Sequence, residues 1–230
     1  MTDQHFQVAI IGAGPAGMAA ACTTTKAGLR TIVIDDQKDS GGQVYRNLKA
    51  NRSLSPTYLG DSYYAGTKLS NDFATCGANY LTDCTVWQIT NSHEIALVSR
   101  GKAELITADY IIIATGAIER AMPVKGWTLP GVMSVGGAQT LLKQAALGAD
   151  EAVFVGSGPL LYLTVWQYIK AGLSVRAVID TTGRSQWLSA LAFAPLAFLQ
   201  PNMLAMGQKW LRKIRQKVDV ITNVEGVEIV

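Results

Sequence analysis

A short apolar run that leads directly into a glycine-rich turn constrains this chain more than any other stretch. Residues 6–17 read FQVAIIGAGPAG, and a helical pattern follows at once. Gly12 permits a tight turn after a strand, Gly14 lets backbone approach a ligand, and Gly17 lets the helix pack close to the strand. Free N–H groups at the helix N-terminus favour an anion. The predicted pyrophosphate-binding turn therefore consists of Gly12, Gly14, Pro15, Ala16 and Gly17.

The acid that such a turn requires lies at the end of the next predicted strand. A helix is predicted from the glycine turn to Ala27, and the β-branched run Thr31–Ile34 predicts a buried parallel strand. Asp35 follows this strand, close to the spacing of about 20 residues at which an acid binds the adenosine ribose. Asp36 is the second candidate, because strand ends read from sequence are uncertain by a few residues.

A second glycine-rich segment offers another close approach of backbone to a ligand. Residues 40–46 read SGGQVYR, and their composition is equally compatible with an ordinary loop. Further along, Leu69, Phe73 and Cys76 recur at helical spacing. Core packing accounts for that stripe.

The pattern then changes to a period of two, which is typical of strands. Residues 81–90, 95–99 and 103–107 are separated by polar or glycine turns and predict a small antiparallel meander. The run YIIIATG at 110–116 predicts a fully buried strand. Doubly wound sheets bind ligands at the carboxyl ends of such strands.

The opening pattern returns near residue 152. Residues 152–161 repeat strand, glycine turn and helix, and the predicted strand at 173–179 again ends in an acid. Two such units indicate an internal duplication. Leu161 stands where the third glycine should be, and we expect its side chain to push the helix away from the strand. The candidate residues of this second nucleotide site are Gly156, Gly158, Pro159 and Asp180.

A strongly apolar stretch follows at residues 188–199. Prolines interrupt it, so it does not predict a membrane-spanning helix. Buried packing, a subunit interface and shallow membrane contact stay open. The next pattern predicts a helix with a solvated basic face, for which an acidic partner is the alternative. The apolar face of this helix consists of Trp210, Leu211, Ile214 and Val218.

The composition excludes several classes of protein. With 230 residues, 49% hydrophobic and 16% charged, the chain buries a sizeable core and is not disordered. A net charge of +3 without a basic tail gives no reason to expect nucleic acid. Cys22, Cys76 and Cys84 lack metal-ligand spacing, so we predict reduced, buried thiols and no metal site. The first residues do not read as a signal peptide, which favours a cytoplasmic location.

Together these motifs resemble the FAD- and NAD(P)-binding oxidoreductases with two dinucleotide folds, the pyridine nucleotide-disulfide reductase-like superfamily. Within it the chain is similar to the FAD-binding subunits of opine oxidase, hydrogen cyanide synthase and dye-linked proline dehydrogenase. The resemblance covers nearly the whole chain. The most specific motifs on which it rests are GGQVYR at 41–46, ATGAIER at 114–120 and GWTLPGVM at 126–133.

The resemblance implies an α/β fold. A Rossmann-like FAD-binding domain would occupy residues 1–125, with the meander at about 79–107. Residues 126–150 would form a connection and a helix, and 151–230 a second, incomplete Rossmann-like nucleotide-binding domain. In this superfamily a late Gly-Asp motif in a returning segment also binds the flavin. Since the sequence ends at Val230, we expect an N-terminal fragment of a longer protein.

The resemblance also assigns a cofactor to the residues. It places the pyrophosphate of FAD at Gly12, Gly14 and Gly17, and the adenosine ribose at Asp35. The other positions it assigns to FAD are Gly41, Gly42 and Gln43 along the phosphates, Arg46 as a charge partner, Val86 at the adenine, and Ala114, Thr115 and Gly116 at the strand end that closes over the cofactor.

The sequence departs from the superfamily in its cysteines. Residues 43–46 and 131–140 contain none, which excludes the dithiol exchange of disulfide reductases. We therefore predict an FAD-dependent oxidoreductase subunit that takes electrons from an amine, imino or opine-like compound within a hetero-oligomer, in the cytoplasm or peripherally at the inner membrane face. The alternatives are an NAD(P)H-dependent flavin reductase, against which Leu161 argues, and a non-catalytic adenine-nucleotide-binding subunit or nonfunctional fragment.

Overall fold

The structure is a computed structural model that describes residues 4–54, 57–193, 199, 201–224 and 226–230. The chain divides into two compact units, Met1–Ile118 and Glu119–Val230, each with its own sheet. The α/β fold class predicted from the sequence is confirmed. The domain boundaries at residues 125 and 150 stay predictions.

The first unit is built on six strands: β1 (Gln4–Ile11), β2 (Thr31–Ile34), β3 (Asn79–Leu81), β4 (Cys84–Ile89), β5 (Glu94–Ser99) and β6 (Lys102–Ile113). They form one sheet in the order β3-β2-β1-β6-β5-β4. The pairs β3-β2, β2-β1 and β1-β6 are parallel. The pairs β6-β5 and β5-β4 are antiparallel, which confirms the predicted meander.

The helices of this unit are α1 (Pro15–Lys26), α2 (Leu48–Leu54), α3 (Asp61–Tyr64) and α4 (Thr67–Thr75), with a 3-10 turn at Thr57–Leu59. Gly28, at a φ of +80°, follows α1 where the sequence predicts the helix to end. Phe73 of α4 packs with Met18 and Ala21 of α1 in one apolar cluster. The helical stripe predicted from residue 69 onward therefore belongs to the core.

Successive residues of β1 point to opposite faces of the sheet, as in any strand. Ile10 packs in the cluster that contains α1 and α4, whereas Ile11 packs in a second cluster with Ile34. This second cluster also contains Ile95 and Leu97 of β5, so the meander folds back over the other face of β2. The strand β2 and the last four residues of β1 are buried on both faces.

The prediction of a fully buried strand at residues 110–116 is wrong. These residues continue β6, which starts at Lys102, and the side chains of Tyr110 and Ile113 are each 70% exposed. β1 pairs with β6 as far as Ile113, whereas the β5 ladder ends opposite Thr107. The last residues of β6 are therefore covered less completely than those of β1.

The prediction of buried cysteines is correct for one residue of three. Cys84 is buried on β4, whereas Cys22 and Cys76 are half-buried beside α1 and α4. All three are free thiols. Helix positions at the edge of the core leave part of each side chain in contact with solvent.

The second unit repeats the strand and helix pattern around a smaller parallel sheet. Its strands β7 (Ala152–Gly156), β8 (Val175–Asp180) and β9 (Asp219–Thr222) pair in that order. Its helices are α5 (Val135–Ala145), α6 (Pro159–Lys170), α7 (Arg184–Leu191) and α8 (Pro201–Arg215).

Helix α8 confirms the predicted amphipathic pattern. On the helix Ile214 is buried, Trp210 and Leu211 are half-buried, and the basic residues are exposed. Val218, which the prediction placed on the same face, is also buried but lies beyond the end of the helix at Arg215. Most of the apolar stretch before it behaves differently: Leu188, Phe193 and Leu199 are exposed, and residues 194–198 lie outside the described residues. In the part of the chain that the structure describes, no helix is both long and apolar enough to cross a bilayer.

Candidate functional site

The first glycine of the opening motif lies against the end of β6. Gly12 has a φ of +104°, and a Cβ there would lie 2.4 Å from the carbonyl oxygen of Ala114. The Gly12 N–H donates to the carbonyl of Ile34, and the Ala114 N–H donates to that of Ile11. The turn therefore lies at the carboxyl ends of three neighbouring parallel strands, β2, β1 and β6, where such sheets bind ligands.

The third glycine lets α1 pack directly on the turn. A Cβ at Gly17 would lie 1.9 Å from the carbonyl oxygen of Gly12. Gly14 precedes Pro15 at the start of α1 and is extended, with φ −68° and ψ −178°. No described side chain caps this helix, and Ala16 is exposed in its first turn. The backbone N–H groups and partial positive charge of the helix N-terminus are thus open to an anion.

The two glycine-rich segments of the sequence meet in the structure. The Gly41 N–H donates to the Ala13 carbonyl at 2.8 Å. A Cβ at Gly42 would lie 2.9 Å from the Cα of Gly14. The two loops therefore touch backbone to backbone, and a ligand lying over Gly14 is within reach of Gly42. The sequence predicts each loop but not their contact.

Asp35 is buried at the end of β2, and its carboxylate holds the glycine turn in place. One carboxylate oxygen accepts from the Ala13 N–H at 2.5 Å and the other accepts from the Gln37 N–H at 2.8 Å. Each oxygen has a second lone pair, which remains available to a ligand hydroxyl. Asp36 is exposed and accepts from the Gln37 side-chain amide at 3.1 Å. The binding of ribose by either acid stays a prediction.

Arg46 has an unsatisfied donor beside the second glycine loop. Its Nη1 donates to Oε1 of Gln37 at 2.6 Å, whereas its Nε is buried and has no hydrogen-bond partner among the described residues. A buried donor without a partner costs about 1–3 kcal/mol, so such groups are normally satisfied by protein, water or ligand. The guanidinium fits an anionic acceptor such as a phosphate. Gln43 is exposed on the same loop.

Tyr80, which the sequence analysis did not single out, has a buried polar group close to the charge of Asp35. Its hydroxyl on β3 is buried without a hydrogen-bond partner among the described residues. Burial raises the pKa of Tyr80, and the negative charges of Asp35 and Asp39 raise it further. The hydroxyl is therefore protonated at neutral pH and can donate. A single tyrosine in a short strand carries no sequence signal that would distinguish it from a core residue.

An open groove of about 290 Å³ lies at the ends of β1, β4 and β6. Two of its residues, Val86 and Thr115, are among those that the resemblance assigns to the cofactor. Gly116 follows them at a φ of +75° and is exposed. Apolar walls next to a glycine turn suit a planar ring. The groove is lined by Ile11, Val86, Trp87, Gln88, Ile89, Ile113 and Thr115.

The glycine turn of the second unit has a different conformation. Gly158 has a φ of +88°, in the left-handed region, whereas its counterpart Gly14 is at −68°. Leu161 occupies the position of Gly17 and is buried. Because Leu161 has a Cβ, the close approach of helix to turn that Gly17 allows cannot be repeated there. Helix α6 still begins at Pro159, one residue after the turn.

The carboxylate of Asp180, at the end of β8, already accepts hydrogen bonds from neighbouring residues. One oxygen of Asp180 accepts from the N–H and hydroxyl of Thr182, at 2.9 and 2.6 Å, and the other accepts from the hydroxyl of Tyr162. Burial opposes ionisation of Asp180, but these hydrogen bonds and the charge of Arg215 outweigh it and hold its pKa below the usual value. Sequence analysis missed Tyr162, which reads as an ordinary helix position.

The hydrogen bonds to Asp180 predict an acid-sensitive contribution to stability. We expect Thr182→Val to lower the free energy of unfolding at about pH 7 by about 1–2 kcal/mol. Because folding lowers this pKa, the carboxylate stabilises the folded state above about pH 4, its value in the unfolded chain, and this stabilisation is lost as the pH falls through the folded value. The deficit should therefore shrink at about pH 3.

Urea denaturation at the two pH values measures this difference. Thr181→Val is the matched control, because the neighbouring threonine contributes only its backbone N–H, which donates to the Gly156 carbonyl. It should leave the pH dependence unchanged. A deficit in Thr182→Val that is equal at both pH values would contradict the assignment to Asp180.

Comparison with known sequences places the chain in a family. It matches the family described as pyridine nucleotide-disulphide oxidoreductase over residues 6–229. It is 38% identical, over 99% of its length, to one subunit of the opine oxidase of Agrobacterium tumefaciens (strain Ach5), of which it covers 47%. It is 35% identical, over 76% of its length, to the hydrogen cyanide synthase subunit HcnB of Pseudomonas aeruginosa, of which it covers 39%. The chain thus spans half or less of the length of these relatives.

Solved structures share the fold at lower identity. The L-proline dehydrogenase of P. horikoshii superposes on 79% of the chain with a TM-score of 0.63 and 19% identity, and the chain covers 37% of it. The bacillithiol disulfide reductase of Bacillus cereus superposes on 99% with a TM-score of 0.62 and 18% identity, and the chain covers 70% of it. Given the family match over nearly its whole length, the chain belongs to the pyridine nucleotide-disulphide oxidoreductase family.

Proposed function

We propose that the first unit binds FAD and that the chain is part of a flavin-dependent oxidoreductase subunit. The observation that carries the proposal is the contact between the glycine loops at Gly14 and Gly42, where backbone is accessible at the N-terminus of α1. Such a position favours a pyrophosphate. The unsatisfied Nε of Arg46 supports the same ligand, since it fits a phosphate oxygen.

The remaining parts of the site fit the other parts of FAD. The spare lone pairs of Asp35 suit ribose hydroxyls, and the apolar groove beside Val86 suits the adenine. Bound FAD would supply the two-electron oxidation, while the protein binds and orients it. Residues 43–46 and 131–140 contain no cysteine, so the proposed electron route does not pass through a redox-active disulfide in these segments.

The substrate class and the partners are proposed from the relatives. The matched chains of opine oxidase and hydrogen cyanide synthase are both named as subunits. We therefore infer a hetero-oligomer that oxidises a small amine, imino or opine-like compound. A location in the cytoplasm or at the inner membrane face stays a prediction.

A nicotinamide dinucleotide at the second unit is not part of the proposal. Asp180, the acid that would bind its ribose, already accepts from Thr182 and Tyr162, and it would have to exchange these partners for the ligand. The turn at Gly158 also lacks the extended conformation of Gly14. Both features oppose NAD(P) as a second cofactor.

The proposal is tested by calorimetric titration of the 230-residue chain with FAD and with ADP. We expect FAD to bind more tightly than ADP, and Arg46→Gln to weaken FAD about 10-fold or more, because a hydrogen bond to a charged group contributes about 1.5–3 kcal/mol. Lys49→Gln, which changes an exposed charge on α2, is the matched control and should leave FAD affinity unchanged.

Two results would overturn parts of this proposal. Equal affinity for FAD and ADP would mean that contacts to the flavin ring add nothing to the affinity, as expected for a subunit that binds only adenine nucleotides. Rapid bleaching of the bound flavin by NADH or NADPH would show that the second unit does bind a nicotinamide dinucleotide. Failure to bind FAD at all would remove the proposed function.

A further inference from the structure

Gln37, in the loop that follows β2, connects Asp35 and Asp36 to Arg46. Its backbone N–H donates to Asp35 at 2.8 Å, and its carbonyl accepts from the Asp83 N–H at 3.3 Å. Its side-chain Nε2 donates to Asp36 at 3.1 Å, and its Oε1 accepts from Nη1 of Arg46 at 2.6 Å. Both backbone groups and both ends of the side-chain amide are therefore engaged.

The chemistry of the two side-chain partners fixes which way the amide of Gln37 faces. A carboxylate can only accept hydrogen bonds at neutral pH, and a guanidinium can only donate them. The NH2 group must therefore face Asp36, and the oxygen must face Arg46. A glutamine meets both requirements at once, whereas a glutamate could only accept from Arg46 and a lysine could only donate to Asp36.

Arg46 is held at its backbone as well as at one nitrogen of its side chain. Its carbonyl accepts from the hydroxyl of Tyr63 at 2.6 Å. Tyr63 is buried, and burial raises its pKa to about 12, so the hydroxyl stays protonated and can donate at neutral pH. With its carbonyl bound by Tyr63 and its Nη1 bound by Gln37, the guanidinium has little freedom to turn. Its Nε is buried and has no hydrogen-bond partner in the described part of the chain.

The partner of Nη1 is neutral, so the positive charge of Arg46 is not cancelled. Asp36 and Arg46 bind opposite ends of the Gln37 amide instead of pairing directly. A guanidinium that is oriented in advance and keeps its charge suits the oxygens of a phosphate.

We propose that Gln37 is a positioning residue of the FAD site, which orients the guanidinium of Arg46 toward a phosphate oxygen and keeps its charge available. This inference rests on the proposed function, because it requires the pyrophosphate of FAD to lie at the two glycine loops. Gln37 acts through Arg46 and not by touching the ligand. A glutamate at this position would form an ion pair with Arg46 and cancel the charge that binds the phosphate.

The test is calorimetric titration of the 230-residue chain with FAD. We expect Gln37→Glu to weaken FAD binding about 10-fold or more, because the new carboxylate replaces the phosphate as the partner of Arg46. Gln37→Met has a similar length but neither charge nor hydrogen bond, so it should weaken FAD only about 3-fold. Lys38→Gln is the matched control, since it changes the net charge by the same amount at the next residue, which is exposed, and it should leave FAD affinity unchanged.

A double-mutant cycle shows whether the effect of Gln37→Glu passes through the arginine. In the Arg46→Gln background, Gln37→Glu should weaken FAD by less than about 3-fold, because the charge it would cancel is already absent. Urea denaturation should show that the single variant Gln37→Glu unfolds at the wild-type urea concentration or a higher one, since the ion pair replaces the lost hydrogen bond. A purely structural role for Gln37 would lower stability and would not produce this coupling.

The outcomes separate this inference from the proposed function. Wild-type affinity in Gln37→Glu, or an equal loss of affinity in both backgrounds, would overturn the role of Gln37 while FAD binding by the wild type still stands. If Gln37→Glu fails to fold, Gln37→Met decides the question, because unchanged FAD affinity in that folded variant would also overturn it. If the wild-type chain does not bind FAD, the proposed function fails and this inference fails with it.

Discussion

Gly17→Ala is expected to lower the free energy of unfolding of the first unit by about 3 kcal/mol or more and to abolish FAD binding. The new Cβ would lie 1.9 Å from the carbonyl oxygen of Gly12, and both atoms belong to backbone that cannot yield cheaply. Urea denaturation measures the loss. Gly207→Ala on α8 is the matched control, because a Cβ there meets nothing within 4 Å, and alanine should gain up to about 1 kcal/mol in a helix.

Gly14→Ala then separates folding from binding at the same turn. A Cβ on Gly14 would lie 3.9 Å from the Cα of Gly42, an ordinary contact, and its φ of −68° suits any residue. This variant should unfold at the same urea concentration as the wild type and yet bind FAD about 10-fold more weakly, because the methyl group occupies space over which the pyrophosphate is proposed to lie. Unchanged FAD affinity in a folded Gly14→Ala protein would contradict this placement of the pyrophosphate.

Asp35→Asn is expected to cost about 2 kcal/mol of stability and to weaken FAD binding. The carboxylate accepts from two backbone N–H groups, whereas an amide can present an acceptor to only one of them and points its own donor at the other. The measurement is urea denaturation together with calorimetric titration of FAD. Asp36→Asn is the matched control, since its exposed side chain should change stability by less than about 0.5 kcal/mol.

The same pair of variants decides which acid binds the ribose. Loss of FAD affinity in Asp35→Asn alone supports Asp35. If Asp36→Asn loses affinity while Asp35→Asn keeps it, Asp36 is the ribose ligand. The stability of each protein shows whether a loss of affinity comes from the ligand contact or from the collapse of the turn.

Local sequence patterns predicted the parallel core well. Thr31–Ile34 forms a strand with the predicted bounds, because an uninterrupted β-branched run is typical of a strand buried on both faces. The same rule failed at β6. There the sequence predicts two strands, at residues 103–107 and 110–116, but the structure has one continuous strand, because β5 pairs with its first half and β1 with its second half. The change of partner along one strand is a tertiary property that periodicity does not contain.

The candidate site was predicted in parts and not as a whole. The glycines and Asp35 are recognisable from sequence because they occur at the spacing that a dinucleotide-binding turn and its acid require. The contact between Gly14 and Gly42, the hydrogen bond from Ala13 to Asp35 and the unsatisfied hydroxyl of Tyr80 depend on how distant segments meet. In the second unit Leu161, at the position of the third glycine, predicted an altered turn. Nothing in the sequence predicted that the hydroxyl of Tyr162 donates a hydrogen bond to Asp180.

The hydrogen bonds around Ala13 have a consequence for the kinetics of ligand capture. Its N–H and carbonyl are both engaged by the protein itself, through Asp35 and Gly41. The turn is therefore ordered during folding, when fixing each residue costs about 1–2 kcal/mol of conformational entropy. If a phosphate binds at this turn as proposed, it meets an ordered surface, so we expect its association to require no rearrangement of the turn and to lose no affinity to ordering it.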